Sequence, residues 1–224
     1  MTVPWSAAGP AGAVGDSWSY RDLEFAPLPS SCRGLLAELR ASADPPPPGG
    51  YAPGQVGSPL KVAEELFGCL FRAALARGEH EHGWFVWQDL DNELAVHAEE
   101  CRVAVLEGLI LVGLRTFCDQ IPRTGSADVE LVVPFAVGTP QRPAGLVAVA
   151  ETAARGPSLL VGIWGETAVA ASWQALVAVW RYVAALAGED QNCRPLLPGA
   201  VYASPGMLIV VPQAIHAIDR EVGA

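Results

Sequence analysis

The chain has 224 residues, 51% of them hydrophobic and only 17% charged, with a net charge of -10 and a sequence pI near 4.8. That balance argues against nucleic acid and anionic membrane surfaces as partners, because affinity for phosphate comes from clustered Lys and Arg, and here thirteen arginines are scattered singly beside one lysine, Lys61. A mean hydropathy of +0.28 implies that much apolar surface is buried, either internally or against a partner protein or a second copy of the chain.

Residues 1 to 57 are rich in Pro, Gly, Ala and Ser, including Pro45 to Pro48 followed by Gly49 and Gly50, a composition that does not sustain helix or ladder pairing. They are read as an N-terminal arm preceding one domain, 58–224. Two pieces of the arm have the pattern to dock: the extended Leu23 to Pro29, and a short helix over Cys32 to Ala41 with Leu35, Leu36 and Leu39 on one side. Ser58-Pro59 then predicts a helix start, with Glu64 and Glu65 near the positive end of its dipole and Leu60, Ala63, Phe67, Leu70, Phe71 and Ala74 on one stripe ending at Arg77-Gly78.

Trp84 to Trp87 and Leu94 to Ala98 predict a hairpin closed by Asp89 to Asn92. Arg102 to Asp119 is apolar almost all round and predicts a buried helix. Val129, Leu131 and Val133 alternate as a strand does, and Gly145 to Ala150 and Ser158 to Ile163 read as two more strands. Trp173, Leu176, Val177, Trp180, Val183 and Ala184 mark an amphipathic helix stopped by Gly188, and Met207 to Val211 is a last strand. Short turns between neighbouring strands predict an α+β fold: a mixed, largely antiparallel sheet packed with helices.

Five cysteines form no CxxC pair. Cys69, Cys101 and Cys118 fall in apolar stretches read as helices, where a free cysteine acts as a small hydrophobe; no environment follows for Cys32 or Cys193. Reduced thiols, the absence of a signal-peptide pattern and the shortness of Val103 to Leu114 against a bilayer predict a cytoplasmic protein with no membrane span.

Glu79-His80-Glu81-His82 is the densest set of metal-ligand side chains, and His97 approaches it if the hairpin folds back. Alternate residues of an extended loop point to opposite sides, so the histidines share one side and the glutamates the other, and a solvated loop is the reading taken; no metal and no cofactor are assigned. Asp89, Asp91 and Glu93 are explained by the hairpin turn. Gly162 to Thr167 matches no phosphate-loop spacing and reads as a strand-to-helix turn. The tryptophans suit an apolar ligand pocket, a core or a partner interface equally.

From Leu23 to Ala187 the chain resembles a divergent bacterial biotin/lipoate protein ligase-like family. The resemblance is carried by Leu23-Glu24-Phe25-Ala26-Pro27-Leu28, the Pro-Leu-begun helix, the aromatic strand Trp84 to Trp87, the Leu-Ala-Val strand ending in Ala98-Glu99, and the apolar segment after it. Val129 to Pro134, Gly138 to Val149, Leu159 to Ile163 and the Trp173 to Leu186 helix continue it. It implies a ligase-like core with a pocket for an acyl acid over the sheet, Arg142 and Gly145 nearest the ligand and Lys61 a second choice. Thr139 to Gly145 stands where the family has a glycine turn with a lysine, and a planar guanidinium is no replacement for a compact ammonium beside a phosphoanhydride. The expected function is therefore acyl-ligand binding or acyl transfer without the full ATP-dependent reaction. The alternative is a non-catalytic accessory or assembly subunit that binds a protein partner.

Overall fold

The computed structural model describes residues 30–76, 84–89, 92–118, 127–141 and 152–215. The first of these form helix α1 (Ser30–Ser42), which buries Cys32, Leu36 and Leu39, the helix predicted within the arm. The Pro/Gly segment after it departs from expectation by pairing with the body. Tyr51 is buried, its N–H donates to the Glu189 carbonyl at 3.1 Å and its carbonyl accepts from Gln191 at 3.1 Å, while Val56 bridges Gln213. Two glycines make this approach feasible. A Cβ on Gly50 would lie 2.7 Å from backbone atoms of Asp190, and one on Gly188 would lie 3.0 Å from Pro46.

Strand β1 (Leu60–Ala63) follows, then helix α2 (Glu64–Leu75). The predicted helix thus starts five residues late, at Glu64 instead of Pro59, because Leu60 to Ala63, placed on its stripe, are taken up by pairing with Val210 to Met207 and bury Leu60 and Val62 alternately. The acidic first turn of Glu64 and Glu65 is where the dipole argument placed it, and Phe67, Leu70, Phe71 and Ala74 are all buried.

The predicted hairpin is present as β2 (Trp84–Asp89) and β3 (Asn92–His97), with Leu94 and Val96 facing the core. The predicted helix over 102–119 is not. That stretch is two strands, β4 (Arg102–Leu106) and β5 (Leu109–Cys118), joined at Glu107-Gly108 with Gly108 at φ +64°. Continuous apolar character does not separate a buried strand from a buried helix. Here the β-branched Val103, Val105, Ile110 and Val112 and the glycine at the turn decide for strands. Strand β6 (Ala127–Ala136) contains the predicted Val129 to Val133 and pairs with β5 along its whole length. The sheet order is β2-β3-β5-β4, with β6 also on β5.

Helix α3 (Ser158–Ala185) absorbs the predicted strand at 158–163 and the predicted turn at 162–167. Leu160, Trp164 and Ala168 recur every fourth residue and are buried, extending the predicted Trp173 to Ala184 stripe back by several turns. Gly188, at φ +125°, follows its end as predicted. Strands β7 (Leu197–Ser204) and β8 (Met207–Gln213) close the chain as a hairpin through Pro205-Gly206. With β1 they form a second sheet of order β1-β8-β7. Helices and antiparallel sheets share one core, built from α2, α3 and the inward faces of both sheets, so the α+β class holds. No described helix is long and apolar enough to cross a membrane. The predicted strand at 145–150 lies outside the described residues.

Cys32 and Cys69 correct the expectation of unpaired thiols: they form a disulfide between α1 and α2, with Cα atoms 6.4 Å apart. The bridge closes a 37-residue separation, and in the chain-entropy account a loop of this length contributes about 4 kcal/mol. Replacing both cysteines by serine is expected to lower the unfolding free energy by up to that amount, and peptide mapping after alkylation without reductant should recover the two cysteines linked. The docking of residues 43–57 predicts a contrast between two glycines of similar φ: Gly54→Ala, with open space around it, should cost about 1 kcal/mol, and Gly50→Ala, against the Asp190 backbone, about 2–3 kcal/mol. Denaturant unfolding of the two variants distinguishes a docked segment from a free one, for which the costs would be equal.

Candidate functional site

Strand β5 is paired along one edge by two segments in succession. Its Phe117 and Thr116 pair with Ala95 and Val96 of β3, and its Gly113 to Leu109 pair with Arg102 to Leu106 of β4. Six residue steps from Val96 to Arg102 therefore face three from Thr116 to Gly113, and the surplus three are the 3-10 turn Ala98–Glu100. Such an insertion re-aims side chains at the edge of a ladder. Ala98 is driven into the core, Glu99 and Glu100 are pushed outward, and Cys101 turns back beneath β5.

The outward side chains collect on the sheet face opposite the helices. Glu100 lies between His97, with Oε1 to Nδ1 at 3.3 Å, and Arg115, with Oε2 to Nε at 3.5 Å. Glu100, Arg102, Arg115 and Glu130 line a cavity of about 170 Å³. Gly113 lies between Arg102, its cross-strand partner, and Glu130, whose carboxylate occupies the space a side chain at 113 would need. Exposed ion pairs of this kind contribute about 0–1 kcal/mol to stability, so the cluster is not what holds the sheet together.

Beneath the turn, the Arg72 guanidinium of α2 donates to the Cys101 carbonyl at 3.3 Å and to Cys69 Sγ at 3.4 Å. Burial pushes the Cys101 thiol up to about 11, outweighing the Arg115 backbone N–H and the Arg72 charge, which act in the opposite direction. A thiol held protonated is not a nucleophile at neutral pH. Cys193 is exposed, in a loop organised by Asp190. Burial alone would raise the Asp190 pKa. The backbone N–H and guanidinium of Arg194, with the N–H of Asn192, outweigh it and hold the carboxyl below its ordinary value.

Of the ligand residues taken from the sequence, Lys61 is exposed on β1, paired with Ile209, and does not line this cavity. Arg142 and Gly145 lie outside the described residues, as do Glu79 to His82. His97 meets Glu100, and no group of three His, Cys, Asp or Glu side chains suited to a metal occurs among the described residues. Trp164 and Trp180 are core residues, and Trp87 and Trp173 pack against them at ring distances of 6.3 and 5.5 Å. Glu100, Arg102, Arg115 and Glu130 were not selected from the sequence, since a helix over 102–119 would separate Arg102 from Arg115 by more than three turns. The Glu107-Gly108 pair was the signal that brings them together.

The chain matches no protein-family model, no curated protein and no solved structure.

The raised Cys101 pKa has a signed consequence. Above pH 9 the unfolded thiol loses its proton while the folded one keeps it, so stability declines as pH rises from 9 through about 11 and is unaffected below that window. The Cys101→Ala variant should lose this part of the alkaline decline. Iodoacetamide at pH 8 should modify Cys193 while leaving Cys101 unmodified until the chain is unfolded, as read by peptide mass mapping.

Proposed function

We propose that this chain is a non-catalytic accessory or assembly domain that binds a protein partner. The observation that carries this reading is the start of α3, where Leu159 and Ile163 lie one turn apart and are 54% and 36% exposed. Gly162 beside them is also exposed and small, so the two side chains form a short apolar patch that ends at the exposed Glu166. An amphipathic helix normally turns such residues to the core; leaving them outward on the longest helix is the pattern of a helix that packs on another chain.

The biotin/lipoate ligase-like reading, binding or transferring an acyl group, has less behind it. Two of the elements that carried the resemblance, a helix at 102–119 and a strand at 158–163, have other structures. The cavity of about 170 Å³ has charged residues around it and is smaller than the ~300–1,000 Å³ of apolar pockets for larger ligands. Stabilising an acyl-adenylate calls for converging positive charge, whereas the cavity here has as many glutamates as arginines, two of each, and no net positive charge.

Cytoplasmic placement remains the expectation from the sequence, and the Cys32–Cys69 bridge stands against a reducing compartment unless its burial, at 1% and 6% exposure, protects it. The fraction of bridged chain trapped by rapid alkylation of intact cells decides between these.

A photo-crosslinking residue placed at 163 in the producing cells should give a discrete protein adduct, and one placed at the exposed Glu99 should not. Adding Leu159→Asp should abolish the adduct while changing stability by about 0.5 kcal/mol or less. An adduct to the same chain would identify a homo-oligomer; no adduct at 163 would overturn the reading. Robust ATP-pyrophosphate exchange with biotin, lipoate or octanoate, lost in Arg142→Ala, would instead establish the ligase-like reading.

A further inference from the structure

The four charged residues around the β4-β5-β6 cavity are not equivalent. Glu100 lies 3.5 Å from Arg115 and 3.3 Å from His97. Arg102 and Glu130 line the same cavity, on opposite sides of Gly113, yet neither side chain forms an ion pair or hydrogen bond with a described residue. One free guanidinium and one free carboxylate thus face a shared space without reaching each other.

We propose that this cavity binds a small zwitterion bearing a carboxylate and an ammonium, the chemistry of a free amino acid. The Arg102 guanidinium is a planar fork that matches a carboxylate, and the Glu130 carboxylate accepts from an ammonium; a ligand with both groups bridges the two as neither does alone. The volume, about 170 Å³, suits a molecule of few heavy atoms. Gly113 is what makes the arrangement fit: a side chain there would displace the Glu130 carboxylate. Arg115, cross-strand from Glu130 and 3.5 Å from Glu100, bounds the cavity. Because the groups are exposed, binding is weak and falls with salt. The site is on the outward sheet face and is independent of the α3 patch and of the partner reading.

The test is an amide chemical-shift titration of the full chain with glycine at low ionic strength, beside separate titrations with acetate and with methylammonium. Saturable shifts centred on Arg102, Gly113 and Glu130 are expected with glycine, with at least fivefold weaker binding of each half-ligand. Arg102→Gln and Glu130→Gln should each weaken glycine binding fivefold or more. Gly113→Ala, which keeps both charges and alters only their placement, should do the same while its remaining spectrum shows a folded chain. Absence of saturable shifts, acetate binding as tightly as glycine, or glycine binding unchanged in Gly113→Ala would each overturn the proposal.

Discussion

The two sheets meet at a polar junction around Glu64, Val105 and Gly206, beside a second backbone contact in which Gly108 donates to Ala203 and Ala203 to Gly138, and the first of these fixes the free edge of β4. Strand β4 has a partner on one side only, and its other edge is closed without a further strand. The Val105 N–H donates to the Glu64 carboxylate at 2.7 Å, and the Val105 carbonyl accepts from the Gly206 N–H at 2.9 Å. Gly206 in turn accepts from the Glu64 N–H at 3.0 Å. One carboxylate at the start of α2 and one hairpin turn therefore satisfy the outward backbone groups of Val105 on a sheet edge of the kind that can template unwanted pairing. A buried unsatisfied amide costs about 1–3 kcal/mol, which sets the scale of what this junction prevents. Gly206 sits at φ +73°, the left-handed conformation that the position after proline in such a turn adopts most readily as glycine.

With β4 fixed in this way, β5 becomes the strand on which the larger sheet is organised, and the 3-10 turn between β3 and β4 is forced to accommodate three surplus residues at its edge. The outcome is a division of labour between faces. Ile110, Val112 and Leu114 of β5 point to the helices and are fully buried, whereas Gly113 and Arg115 between and beyond them point away. Thr116 is the exception on the inner face, and its hydroxyl is satisfied by donating to the Val129 carbonyl at 2.8 Å. The polar cavity is thus a by-product of strand alternation combined with one irregularity of register.

Periodicity made some of this legible and withheld the rest for identifiable reasons. The β2-β3 hairpin, the strand through Val129 to Val133 and the second half of α3 were readable because polar residues interrupt their apolar ones at a definite period. Segments 102–118 and 158–163 were misread because they are apolar on nearly every residue, so neither period stands out; the first is covered on its inner face by α2 and the second continues into a helix whose buried stripe only becomes visible beyond Trp164. Strand β7 was missed although Pro205-Gly206 marks its turn, since Leu197 to Ser204 carries a proline and a glycine that lower its strand propensity, and a bulge between Pro198 and Ala200 accommodates them. The charged cavity was hidden for a different reason: its residues come from three strands and a turn, and only the correct pairing of 102–118 brings them together.

Residues 30–57 show why composition misleads about independence. The segment has little regular structure after α1 and would not fold alone, yet it is held at both ends by interactions that composition does not encode. At one end the bridge from Cys32 fixes α1 to α2, and Arg40 donates to the Tyr182 hydroxyl of α3 at 3.0 Å. At the other, Tyr51, Gly54, Gln55 and Gly57 exchange backbone hydrogen bonds with residues 189–191 and 212–214. Prolines between these anchors restrict the unfolded chain more than the folded one, so they lower the entropy lost on docking. A segment that reads as a linker is in this way converted into a strap that crosses from α2 to the far end of β8, and Leu36, Leu39 and Tyr51 belong to the same core as the body they cover.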